Sequence, residues 1–196
     1  FGGDAARREL IGQARIQPGQ RVLDLGCGTG SLVVALKGAV PAAEVVGLDP
    51  DPRALERARR KCERASVAVG FDRGFSDELP YAPGSFHRVL SSFMLHHLGT
   101  DEKRRTLAEV RRVLAPGGSL HVLDFGSATA HAGGLLARLL HSAEHLSANL
   151  EGRIPELMRE AGFADAGEIA HRSTLFGRIA YYRATLAPQA EGVDLE

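Results

Sequence analysis

Only two cysteines, Cys27 and Cys62, occur in 196 residues. They lie too far apart for a local CxxC site, and one sits inside a glycine-rich loop. A disulfide framework is therefore not expected, and a reducing, cytoplasmic setting is. Net charge is missing too: 24 basic residues balance 24 acidic ones, so no overall field gathers nucleic acid. The local run Arg57, Arg59, Arg60, Lys61 and Arg64 is interleaved with Glu63 and follows Glu56, which reads as a solvated helix face rather than a phosphate track. No apolar run approaches the roughly 20 residues that span a bilayer. Internal repeats, low-complexity tracts and linkers are absent as well, so one domain over residues 1–196 is expected. The chain opens on Phe1 rather than Met, so the lack of a signal peptide carries no weight.

What is present is alternation. Hydrophobic residues make up 44% of the chain and charged ones 24%, a globular balance. The stretches at 21–25 (RVLDL), 44–48 (EVVGL), 66–70 (SVAVG), 87–92 (HRVLSS) and 119–125 (SLHVLDF) are short, rich in Val and Leu, and bounded by Gly or Pro. Those are the marks of buried strands in a parallel sheet. Between them, DPRALERARRKCERA and TDEKRRTLAEVRRVLAPGG read as helices. The second is expected to be capped at Thr100 or Asp101, to repeat apolar residues at Leu107, Val110 and Leu114, and to stop at Pro116-Gly117-Gly118. Strand–helix alternation of this kind predicts an α/β doubly wound, mostly parallel sheet. The last third differs: a helix patterned on Leu135, Leu139, Leu146 and Leu150, a helix near GRIPELMREAGF, then two strand-like runs, DAGEIAHR and TLFGRIAYYRATLA, joined by a short turn. The expected sheet is seven-stranded and closes with an antiparallel pair.

The loop Gly26-Cys27-Gly28-Thr29-Gly30 follows the first strand. A dinucleotide fingerprint places its third glycine one position later, and a P-loop needs a Lys-Ser/Thr pair where Ser31-Leu32 stands. Asp49 ends the second strand, where a carboxylate accepts both hydroxyls of a ribose. The pattern points to an adenosine-type ribose without the usual pyrophosphate cradle.

With VLDLGCGTG, VVGLDPDPRAL, LPYAPGSFHRVLSSFMLHHL and LAEVRRVLAPGGSLHVLDF in order over residues 20–125, the chain resembles the class I S-adenosylmethionine-dependent methyltransferases. It is most similar to the small-molecule branch that includes the ubiquinone and menaquinone C-methyltransferases. The resemblance implies S-adenosylmethionine as cofactor, S-adenosylhomocysteine as product and a small, apolar or aromatic acceptor methylated at O, N or C. It assigns Asp24 to the ligand's ammonium group, Asp49 to the ribose hydroxyls and Pro50 to one face of the adenine. Gly26, Cys27, Gly28 and Gly30 form the ligand turn, and Ser76 and Ser92 complete the expected cofactor set. Many relatives carry an acid before the Leu-Pro step; here Phe75 stands in its register, placed to pack on the adenine, with Asp77 as the alternative acceptor. His87 also departs from the usual Asp and reads as structural.

Methyl transfer needs alignment with an already activated carbon, and a base only where the acceptor loses a proton. His96 and His97 follow the fourth strand near the edge where ligands bind, and either lends a base or packs beneath the loop; His96 is the catalytic candidate. His141 and His145 share a helix face without a third ligand, so no metal is expected. The segment 126–150 is expected to cover the substrate pocket. Two other functions compete with the enzyme: a binding scaffold or sensor that keeps the fold without turnover, and a nicotinamide oxidoreductase. The second lacks a Tyr-x-x-x-Lys pair, because Lys37, Lys61 and Lys103 are the only lysines and none stands four residues after a Tyr. Oligomeric state is not legible.

Overall fold

The structure, a computed structural model, describes residues 3–126, 152–174 and 177–187. The chain opens with helix α1 (Gly3–Ala14), then β1 (Arg21–Leu25), α2 (Ser31–Ala39), β2 (Glu44–Asp49), α3 (Pro52–Arg64) and β3 (Gly70–Arg73). It continues through β4 (Phe86–Ser92), a 3₁₀ turn (Leu95–His97), α4 (Thr100–Val113), β5 (Leu114–Phe125), α5 (Ile154–Glu160), β6 (Ala164–Thr174) and β7 (Gly177–Thr185). The seven strands lie in the order β3-β2-β1-β4-β5-β7-β6. The first five run parallel, and β7 enters antiparallel between β5 and β6. The expected mostly parallel sheet with a terminal antiparallel pair is thus what the chain forms.

β1 is buried along nearly its whole length because it is central and covered on both faces. Val22 joins a core with α1, α2 and α3, while Leu23 and Leu25 join the opposite core with α4 and α5. The two-residue period therefore aims Asp24, like Val22, at the α1–α3 side. From β1 the chain winds outward through β2 and β3, then returns to lay β4 against the other side of β1. That reversal is the switch point, and ligands of doubly wound sheets bind beyond the carboxyl ends of the strands there.

Local chemistry sets the helix starts. Asp51 caps α3 by accepting from the Arg53 N–H at 2.8 Å, with Pro52 at the first helical position. The cap of α4 is Gly99, one residue earlier than expected, and the Glu102 carboxylate accepts the Gly99 N–H at 2.7 Å. Two further expectations move. The third strand is Gly70–Arg73 rather than 66–70. Helix α4 ends at Val113, and Leu114 with Pro116-Gly117-Gly118 already belongs to β5. Helix α1 was not read from the sequence at all. The Leu-patterned helix expected at 131–150, with His141 and His145, lies outside the described residues. None of the helices among the described residues is long and apolar enough to cross a membrane.

Candidate active site

Asp24, one residue before the end of β1, and Asp49, the last of β2, stand at the carboxyl ends of neighbouring strands. Their environments are opposite. Asp49 has a partner on each oxygen: one accepts the Gly28 N–H at 2.8 Å and the other the Asp51 N–H at 2.9 Å. It thus ties the loop after β1 to the turn after β2, and the helix cap is Asp51, not Asp49. Asp24 is only 1% exposed, and neither of its oxygens has a hydrogen-bond partner among the described residues. Burial pushes its carboxyl group up to about 7, against the pull of Arg7 and with the help of Asp49. A buried acceptor left unbonded is costly, and functional sites are where such groups are retained.

The three glycines separate in role. All have positive φ, which glycine alone adopts without strain. A side chain at Gly26 would strike Met94 at 2.4 Å, and one at Gly30 would meet the Ala58 backbone at 3.1 Å. Those two glycines admit protein. At Gly28 nothing lies within 4 Å of the position a Cβ would take. Of the three, Gly28 alone has open space at its Cβ position. Cys27 is buried with its Sγ turned toward Gly47, and burial raises its thiol pKa well above the ordinary value. It is a packing residue, not a nucleophile.

Beyond β3, Phe75 is 65% exposed. The Ser76 hydroxyl bonds Thr106 at 2.8 Å and Asp77 pairs with Arg105 at 3.1 Å, so both side chains are engaged by α4. Helix α4 also fixes the following turn: Glu109 accepts the Leu79 N–H, and Arg112 donates to the Leu79 and Tyr81 carbonyls. Pro50 is exposed after β2, and Ser92 closes β4 half-buried. His87, read as structural, accepts the Arg21 N–H at 3.0 Å and bridges two strands.

The 3₁₀ turn after β4 carries His96, 5% exposed, with Nδ1 2.8 Å from the Asp124 carboxylate. The other Asp124 oxygen accepts the His96 N–H at 3.2 Å, and the Phe125 N–H donates to the first at 2.8 Å. Asp124 is wholly buried at the end of β5 and holds both ring and backbone of His96 in place. The His97 ring lies 3.9 Å from that of His96, and Phe125 meets the latter edge-on at 4.9 Å. Sequence reasoning found the histidines and missed Asp124. The signal was an acid ending the strand beside them. Among the described residues no cluster of three His, Cys, Asp or Glu is arranged to hold a metal.

An open cleft of about 490 Å³ lies at the opposite end of the sheet, lined by Arg111, Arg112, Leu114 and Leu186 among others. None of these lining side chains is among the buried, unpartnered polar groups of the described residues.

A doubly wound sheet with an acid near the tip of each of two adjacent strands at its switch point is the arrangement of an α/β protein whose ligand site lies at the carboxyl edge. A methyltransferase-domain family matches residues 22–118. The demethylmenaquinone methyltransferase of Thermus thermophilus is 41% identical over 140 residues, 71% of this chain and 63% of that one. The ubiquinone/menaquinone biosynthesis C-methyltransferase of Xanthomonas campestris is 33% identical over 185 residues, 82% of this chain and 72% of that one. A solved S-adenosylmethionine-dependent methyltransferase from Aquifex aeolicus superposes with a TM-score of 0.70 at 17% identity, covering 92% of this chain and 89% of that one. The chain belongs to the class I S-adenosylmethionine-dependent methyltransferases. It spans only part of the length of its curated relatives, 63% in the Thermus case.

Proposed function

We propose that the chain transfers a methyl group from S-adenosylmethionine to a small apolar or aromatic acceptor, of the quinone-precursor kind named in its relatives. The observation that carries this reading is Asp24, a buried carboxylate with both oxygens unbonded, at the switch point beside a glycine that opens on free space. An ammonium group supplies what that carboxylate lacks. On this reading Asp24 takes the amino group of the cofactor's amino-acid tail. Asp49 takes the ribose hydroxyls with lone pairs that the Gly28 and Asp51 amides leave open, since a carboxylate offers about four acceptor sites. Gly28 gives the room, Pro50 and the exposed ring of Phe75 flank the adenine, and Ser92 borders the methyl-bearing end. Gly26, Cys27, Gly30 and Ser76 set the shape of the turn from behind.

When bound, the cofactor supplies a methyl carbon already activated by the sulfonium charge. The chain's own residues orient the acceptor and keep water away. An acceptor that gains a methyl and loses a proton needs a base, and we assign His96. With Nδ1–H donating to Asp124, Nε2 is the basic nitrogen. Incubating the purified chain with methyl-labelled S-adenosylmethionine and a short-chain demethylmenaquinone tests the reading. Label in the organic extract with matching S-adenosylhomocysteine is expected. Cofactor binding without turnover across quinone, phenol and amine acceptors would make the chain a binding module instead.

A further inference from the structure

Two donors are buried without acceptors on β7, the strand beside Asp124. That strand starts at the carboxyl edge of the sheet, where the Arg178 carbonyl accepts the Gly126 N–H at 2.9 Å. Ala180 and Tyr182 face the α4–α5 core, and Ala180 stands opposite Asp124, the acid that holds His96. The two-residue period puts Arg178 on the same face, nearest the edge. A side chain at Gly126 would strike its Nη1 at 2.5 Å, so this glycine lets the guanidinium close over the end of β5. Nη2 is paired with Glu168 of β6, which also meets Nδ1 of His171 at 3.1 Å. Nη1 is buried and has no hydrogen-bond partner among the described residues. The same holds for the hydroxyl of the buried Tyr182. Burial raises Tyr182 to about 12, with Glu168 and Asp124 acting in the same sense and Arg178 against them, so the hydroxyl keeps its proton. Each unmade bond of this kind costs free energy, and two on one face beside the candidate base mark a place that a ligand completes. The charge of Arg178 is already met by Glu168, and Asp124 is a second carboxylate close by. What the two donors lack is therefore a lone pair and not a counter-ion.

We propose that Arg178 Nη1 and the Tyr182 hydroxyl hold a neutral ring oxygen, carbonyl or hydroxyl, of the aromatic acceptor and so present its ring to His96. The inference rests on the methyl-transfer reading above and places the acceptor's polar end on β7. Selectivity follows, because a ring without oxygen leaves both donors unbonded.

Equilibrium dialysis in the presence of S-adenosylhomocysteine tests it with two probes: tetralone, a fused aromatic ketone, and tetralin, the same rings without the oxygen. Wild-type protein should bind tetralone at least about tenfold more tightly than tetralin, as a hydrogen bond from a charged donor requires. Arg178→Met should remove most of that preference and leave tetralin within about twofold of wild type. Tyr182→Phe should weaken tetralone about two- to tenfold without lowering stability, since the hydroxyl it removes is unbonded. Equal binding of the two probes by wild type would overturn the proposal. A parallel loss of both in Arg178→Met would overturn it too, because Arg178 would then be acting through the fold of β7. Tyr182→Phe protein that binds tetralone as wild type does would overturn it however Arg178→Met folds. A preference for tetralone that stands while S-adenosylhomocysteine fails to bind would instead defeat the cofactor reading.

Discussion

Asp24→Asn should make the ligand-free protein more stable while removing its ability to hold the cofactor. The carboxyl group, at 3.8 in an open chain, is raised to about 7 by burial, with Arg7 and Asp49 modifying the effect in opposite senses. A raised carboxyl pKa means that the folded state holds the proton more tightly than the unfolded one. Stability is then greatest below pH 4, falls as pH rises from about 4 to 7, and stays reduced above 7. At about 1.36 kcal/mol per tenfold change in proton affinity, the ionised group destabilises the fold by about 4 kcal/mol at pH 8. An amide of the same shape never ionises, and at low pH it is as poorly bonded as the protonated acid. Asp24→Asn should therefore gain about 2–4 kcal/mol at pH 8 and no more than about 1 kcal/mol at pH 4.5, allowing for relaxation around the ionised group. Urea unfolding of both proteins at the two pH values measures it. A variant less stable than wild type at pH 8, or a difference independent of pH, would refute the reasoning.

Burial, with Arg88 and Arg183 adding to it, lowers His121 to about 4, so its stabilising contribution is complete above pH 6.5 and is lost as pH falls toward 4. This slope opposes that of Asp24, and His121→Gln should expose a steeper fall of stability with rising pH in urea titrations; an unchanged profile would contradict it. Gly28→Ala should cost about 1–2 kcal/mol through its positive φ and weaken S-adenosylhomocysteine at least tenfold, whereas Gly30→Ala, facing the Ala58 backbone, should unfold at distinctly lower urea. Equal effects of the two on both measurements would erase the distinction between ligand-facing and protein-facing glycines. Phe75→Ala should leave stability within about 0.5 kcal/mol, because the ring is exposed, and weaken the same ligand about two- to tenfold if the ring packs on the adenine as proposed.

The central strands were legible because a strand covered on both faces is buried along most of its length, and the Val and Leu runs of β1, β2, β4 and β5 mark it. β3 was misplaced for a related reason. It is an edge strand whose bounds are set by pairing of Gly70–Arg73 with Val46–Asp49, not by its own hydrophobicity, so Val67 and Val69 drew the eye upstream. α4 passes into β5 without an intervening turn, and the Pro-Gly-Gly that reads as a helix stop is carried inside the strand. α1 escaped because two glycines and two adjacent arginines mask the spacing of Ala6, Leu10, Ile11 and Ala14, its buried face.

At the site, Asp24, Asp49 and the glycine loop were visible because chemistry and chain position coincide there. The division of labour among the glycines was not. It depends on Met94 and Ala58, which meet the loop only after folding. Asp124 was invisible for the same reason, since it lies 28 residues beyond the His96 it holds.

The most direct test is calorimetric titration of the wild-type chain with S-adenosylhomocysteine between pH 5 and 8, with NAD as the comparison ligand. The expected result is a single site for S-adenosylhomocysteine. Its affinity should strengthen by up to about tenfold per pH unit as Asp24 ionises and level off above about pH 7, with no binding of NAD. Tight NAD binding with none of S-adenosylhomocysteine would contradict the assignment of the site.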